Sequence, residues 1–175
     1  SVIFGYSSVF NDPAPPHYFK QYLEWKKRRG HNVVLVDEND VDLGTASSIR
    51  SRINSEYYGS NPVDFVVLLG DVDGNYPIAT GPTNFSSGNG GYDHYYSCIE
   101  GSDILGDVAV GRLSADNAQE LFGILAKVTR YESEPYIEDL TWLNHSAYLV
   151  GSSTCALSMR NNLRNVATEM VEKRG

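Results

Sequence analysis

Residues 63–71 read Val63-Asp64-Phe65-Val66-Val67-Leu68-Leu69-Gly70-Asp71. The unbroken apolar run from Phe65 to Leu69 is rich in β-branched and aromatic side chains. It is too short for a helix of ordinary length and has no alternation of polar positions. That combination predicts a strand covered on both faces, as in a parallel sheet. Gly70 ends it, and Asp71 is the first polar side chain after it.

The same strand-then-helix rhythm extends in both directions. Upstream, residues 2–6 (VIFGY) form a short apolar run before the breaker segment Asn11-Asp12-Pro13-Ala14-Pro15-Pro16. Pro16 can open a helix. In it Phe19, Tyr22, Leu23 and Lys26 keep helical spacing, and Gly30 stops it. Val33 to Val36 predicts another strand covered on both faces. Thr45 or Ser47 can cap a helix marked by Ile49, Ile53 and Tyr57. Downstream, a long Gly/Asn/Ser loop runs from Gly70 to about Gly91. Tyr95–Ile99 and Asp107–Val110 read as short strands, and Ser114 as the cap of a helix carrying Leu121, Leu125 and Val128. Ala147–Val150 reads as a further strand, and Leu163, Val166 and Met170 as a further helix. Alternating strands and helices predict an α/β domain with a mainly parallel sheet and helices on both faces. Its chemistry is expected at the carboxyl ends of the strands, in the loops after Val36, Leu69, Val110 and Val150.

Composition narrows the function classes. The 175 residues carry a net charge of −8, which argues against a nucleic-acid partner. The one basic run, Lys26 to Arg29, falls at a helix end, where cations suit the macrodipole. Two cysteines, Cys98 and Cys155, allow one disulfide or none. No apolar stretch is long enough for a membrane span. There is no charged-then-apolar leader, so any signal peptide is expected to have been removed. Abundant Tyr, Asn, Ser and Gly lean toward an extracellular protein.

Three motifs invite chemistry. Asp71-Val72-Asp73-Gly74-Asn75 follows the best strand and could hold Mg²⁺ or host an aspartyl nucleophile, as in a metal-dependent phosphatase. The expected companion Lys and histidine sets are absent, so the favoured reading is that Asp71 caps turn amides. Asp93, Glu100, Asp103 and Asp107 add carboxylates near the same edge, a donor set suited to a hard cation such as Ca²⁺. Gly151-Ser152-Ser153-Thr154-Cys155 closes a strand but does not match the Gly-x-Ser-x-Gly nucleophile turn. No Gly-rich dinucleotide fingerprint occurs.

Taken together, Trp25-Lys26 with Gly30, Leu68-Leu69-Gly70-Asp71, Tyr92-Asp93-His94-Tyr95-Tyr96, Gly101-Ser102-Asp103, Gly111-Arg112 and Tyr131-Glu132 resemble the landmarks of the gingipain-type family of secreted bacterial cysteine peptidases, in order and at similar spacing. The resemblance covers about residues 18–155. It implies a caspase-like catalytic domain with a first lobe at residues 1–139 and the opening strand and helix of a second lobe at 140–175. The sequence ends at a helix C-terminus where an α/β protein calls for another strand, so the second lobe is expected to be incomplete. The family's catalytic His and Cys are expected beyond Gly175, since neither Cys98 nor Cys155 matches the nucleophile.

The family implies protein or peptide substrates, a secreted or cell-surface location, and the remainder of the catalytic domain as partner. It implies no required cofactor and allows structural calcium, for which Asp71, Asp73, Asp93 and Asp103 are the candidate ligands. Near the family's substrate-binding aspartate stands Arg160, which would disfavour basic substrates if it lined the pocket. A different class of function is a non-catalytic, peptidase-like interaction module of a bacterial surface or secretion protein. The stretch Ser152 to Cys155, which lacks the family's acid, is compatible with that.

Overall fold

A computed structural model describes residues 1–13, 17–82, 92–134, 140, 141, 145, 147 and 156–174. The chain divides into two compact units, Ser1–Pro135 and Tyr136–Gly175. In the first unit four strands, β1 (Val2–Phe4), β2 (Val34–Val36), β3 (Phe65–Leu69) and β4 (Ala109–Leu113), form one sheet in the order β2-β1-β3-β4. Every pairing is parallel, with Val2 opposite both Val34 and Val66, and Phe65 opposite Ala109. The helices are α1 (Ser7–Phe10), α2 (Tyr18–Arg28), α3 (Ala46–Tyr57) and α4 (Ala118–Ser133). Two gaps between strands are thus crossed by helices, as parallel pairing requires.

Strand alternation divides the buried side chains between two cores. Val2, Phe4, Val36, Val66 and Leu68 face α3, where Ile49 and Ile53 are fully buried. Ile3 and Leu69 face the other way, onto Phe19 and Tyr22 of α2 and Leu121 and Leu125 of α4. Helices therefore cover both faces, as the apolar run in β3 predicts. β2 departs from expectation. It lies at the edge of this sheet, so Val34 and Leu35 are only partly buried and just Val36 is fully enclosed.

Four further local expectations are corrected. Residues 95–99 are not a strand, because Asp93–Tyr96 wind into a 3₁₀ turn that buries Tyr96 under Ala79, whose carbonyl accepts the Tyr96 hydroxyl. β4 continues past Val110 to Leu113, since its ladder with β3 persists to Leu69. Consequently Ser114 does not cap α4. Asn117 does, accepting the Glu120 amide at 3.0 Å while the Glu120 carboxylate reaches back to Asn117 Nδ2 at 2.8 Å and to the Asp116 amide at 3.1 Å. That exchange is a variant of the capping box, with the Glu120 carboxylate reaching the amide one residue before the cap. Thr45 precedes α3 without capping it through its side chain, and its hydroxyl instead donates to Asp42.

α2 ends as Gly30 predicts. Gly30 takes φ +90°, its amide bonds the Lys27 carbonyl, and the His31 amide bonds that of Lys26, which together make a Schellman motif. The last turn of α2 is tied to α4 by Glu132. Its carboxylate accepts from Trp25 Nε1 at 2.8 Å and from Lys26 Nζ at 2.7 Å. Lys26 also lies over the Tyr22 ring. Burial and then the Glu132 charge push the Tyr22 phenol up to about 12. For Glu132 itself, partial burial works against the charge, but the bonds from Lys26 and Trp25 outweigh it, and the pKa falls below its ordinary 4.5.

A carboxylate whose pKa is depressed by folding adds stability above its unfolded value and loses it as pH falls through the folded one. Glu132→Gln is therefore expected to lower the melting temperature at neutral pH. It should converge on the parent protein as pH falls below the ordinary 4.5 and through the lowered folded value. Thermal melts across pH 3–8 check this, and a difference that stays constant with pH would sink it.

In the second unit the described regular element is α5 (Ala156–Arg174). It bears out the helix expected around Leu163 and Met170. The strand expected at Ala147–Val150, and Cys155, fall largely or wholly outside the described residues.

Candidate functional site

The carboxyl ends of β3 and β4 meet around Arg112. Its side chain is 9% exposed and forks onto Asp93, with Nε 2.8 Å from Oδ2 and Nη2 2.8 Å from Oδ1. Nη1 donates to the carbonyls of Gly70, Asp71 and Ile78 at 3.0–3.3 Å, and Nη2 to that of Ala79 at 3.2 Å. One guanidinium thus joins the end of β3, the turn after it and the 3₁₀ turn. Planar donors on a fixed fork suit that task, which a lysine could not perform. Tyr96 lies in the same junction. Burial raises its phenol pKa, a shift that Asp93 reinforces and Arg112 opposes.

Gly70 permits the tight exit from β3. Its φ is +153°, and a Cβ there would sit 2.1 Å from the Tyr76 carbonyl oxygen. Next, Asp71 caps its turn as expected, Oδ1 accepting the Val72 amide at 2.8 Å. Ligand atoms of Asp71, Asp73 and Asp116 all lie within 4.8 Å of one another. The Asp116 pKa is raised, first by desolvation and then by Glu120, Asp73 and Asp71.

The structure therefore brings Asp71 and Asp73 together, but their companion is Asp116. Asp93 is bound to Arg112, and Asp103 accepts the Leu105 amide at 3.0 Å in its own turn. Sequence reading passed over Asp116 because it ended β4 too early and assigned residues 114–116 to a helix start. Three carboxylates beside a Gly/Asn turn are a hard-cation donor set. Arg160 is exposed on α5. Asp107 Oδ2 ties down the amides of Ile99 and Glu100 at 2.7 and 2.8 Å.

One arrangement that sequence reading did not single out is His94 with Cys98. The Cys98 sulfur lies 3.3 Å from His94 Nε2, and the thiol is free. Nε2 is also 2.7 Å from the Ile104 carbonyl. A carbonyl only accepts, so that contact requires the proton on Nε2. The same Nε2–H faces the Cys98 sulfur, so the two acceptors share one donor.

Residues 12–174 match the profile of peptidase family C25. The chain belongs to that family. Gingipain R2 of Porphyromonas gingivalis is 28% identical over 154 residues, which are 87% of this chain and 20% of that protein. Lys-gingipain of the same organism is 27% identical over 141 residues, covering 77% and 8%. Among solved structures, the complex of Porphyromonas gingivalis RgpB pro- and mature domains aligns with a TM-score of 0.61 at 21% identity. That alignment covers 74% of this chain and 28% of the other. The Arg specific cysteine proteinase gingipain R aligns at 0.59 with 22% identity. The fold is thus that of the aligned part of gingipain R. The C25 chain spans a fifth or less of the length of these curated relatives.

Within the C25 chain, several landmarks that carried the sequence resemblance turn out to be partners of one another. Trp25 and Lys26 bind Glu132. Asp93, Tyr96 and the carbonyls of Gly70 and Asp71 converge on Arg112 or on its acceptor Ala79. They hold elements together and present no assembled nucleophile, base and oxyanion donors.

Proposed function

We propose that this chain is the N-terminal part of a secreted, gingipain-like cysteine endopeptidase domain that hydrolyses peptide bonds in proteins. The observation that carries the reading is the C25 match over residues 12–174, joined to a parallel sheet whose landmarks pair as scaffold. In this reading a thiolate attacks the peptide carbonyl and a histidine moves the proton to the leaving amine. Both groups are supplied by residues C-terminal to Gly175, and residues 1–175 position the sheet that supports them. In this reading Cys98, which lies in the first unit, is not the nucleophile.

The test uses the protein extended beyond Gly175 and a casein-type substrate. Cleavage is expected, with loss on alkylation by iodoacetamide and retention in Cys98→Ser. Activity that survives alkylation, or no activity in any longer form, would favour the non-catalytic module. Cleavage abolished by Cys155→Ala would instead overturn the placement of the nucleophile.

Structural calcium belongs to the same proposal, held by Asp71, Asp73 and Asp116 with turn carbonyls. Millimolar Ca²⁺ should raise the melting temperature by mass action. Asp73→Asn should remove the response, and a melting point indifferent to Ca²⁺ would retire the site. Phosphatase chemistry on Asp71 is not proposed, because the cluster among the described residues is Asp71, Asp73 and Asp116 and includes no histidine.

A further inference from the structure

A second polar site lies away from the carboxyl edge, between α3 and the 3₁₀ turn. Ser47, Arg50, Ser51, Asn54, Tyr95 and Ile99 line a cavity of about 450 Å³ there. Ser47, Ser51 and Asn54 recur at helical spacing and are exposed, so one polar strip of α3 forms its wall. Arg50 is the single formally charged side chain among these six. It is half-buried and fixed from two sides, lying over the Tyr95 ring at 4.8 Å and donating from Nη2 to the Cys98 carbonyl. Its Nε is buried with no hydrogen-bond partner among the described residues.

The ion pairs of the described residues join Lys26 to Glu132, Arg52 to Glu56 and Arg112 to Asp93, and leave Arg50 out. A half-buried cation without an anion is unfavourable even though the chain has eight more acids than bases, at 22 against 14. Here the cation is oriented in advance and ringed by hydroxyl and amide donors, the composition that recognises a planar anion.

We propose that this cavity is a carboxylate-binding site, in which Arg50 supplies the charge and Ser47, Ser51 and Asn54 the neutral hydrogen bonds. Two sources present that group, a small free carboxylate and the side chain of an acidic peptide. Neither depends on the peptidase reading.

Binding is measured on the full chain by calorimetry and by amide shifts of α3. The probes are acetate, acetyl-Gly-Glu-Gly-amide and its Gln counterpart. The Glu peptide should bind in preference to the Gln peptide, and binding should weaken with salt. Arg50→Gln should reduce affinity about tenfold or more, the loss of a charge-assisted pair. Asn54→Asp, an exposed change that leaves the fold intact, places a carboxylate in the cavity and should abolish binding. Arg52→Gln should change nothing. Acetate and peptide binding alike assign a small-carboxylate site, whereas peptide binding alone assigns recognition of an acidic segment. Equal binding of the Glu and Gln peptides overturns the proposal. So does undiminished binding by both Arg50→Gln and Asn54→Asp, or no binding of either carboxylate at 100-fold excess over protein.

Discussion

Arg112→Ala is expected to destabilise the first unit by about 3–5 kcal/mol, the range for removing one member of a buried ion pair. The substitution strands Asp93, which is 28% exposed, and deprives four carbonyls of a shared donor. Arg112→Lys keeps a positive charge but not the fork, so it should recover part of the loss through Asp93 and little through the carbonyls. Urea denaturation compares the three proteins directly. A double-mutant cycle with Asp93→Ala should show strong coupling, because both changes break one contact. If Arg112→Ala fell within about 0.5 kcal/mol of the parent, as surface changes do, the junction would have no claim to hold the sheet edge.

Gly70→Ala should be nearly as damaging, by a different mechanism. The new methyl meets a backbone carbonyl 2.1 Å away, and the φ of +153° is one that alanine avoids. Strained dihedrals cost about 1–3 kcal/mol and forced packing about 1–3 kcal/mol, so the sum is about 2–6 kcal/mol. Two other glycines separate these contributions. Gly30→Ala meets nothing within 4 Å but has φ +90°, so it should show only the dihedral cost, roughly 1–2 kcal/mol. Gly111→Ala meets nothing and has no positive φ, so it should be tolerated. Equal effects at positions 70 and 111 would show that the carbonyl yields freely. Because the Gly70 carbonyl is itself an acceptor of Arg112, the two large effects should not add.

The strands were legible because burial on two faces leaves an unbroken apolar run, and β1 and β3 have no other explanation. α2 was legible from Phe19, Tyr22 and Gly30, where spacing and a stop signal agree. The 3₁₀ turn was not. Tyr95 and Tyr96 have strand propensity, but the Tyr96 hydroxyl finds its acceptor in Ala79 and Asp93 finds Arg112, and neither partnership is encoded locally. The α4 cap could have been read, since Asn117 and Glu120 have capping-box spacing, but a strand ended too early moved the search upstream. For the acidic site, Asp71 and Asp73 follow one strand and were visible as a pair. Asp116 joins them through the β3–β4 pairing, which composition does not announce.

The strand order carries a consequence for the birth of the molecule. β1 comes first in the chain yet lies between β2 and β3, with Val2 paired to positions 34 and 66. At synthesis rates of about 5–20 residues per second, residues 2–4 wait roughly 3–13 s for their second neighbour to be made. Until then Val2, Ile3 and Phe4, all later enclosed, have no sheet to join on one side. Contacts so distant in sequence also close slowly. A nascent chain of this kind leaves β1 exposed while β3 is being made, and a solubilising neighbour or a chaperone should influence its yield more than its final stability.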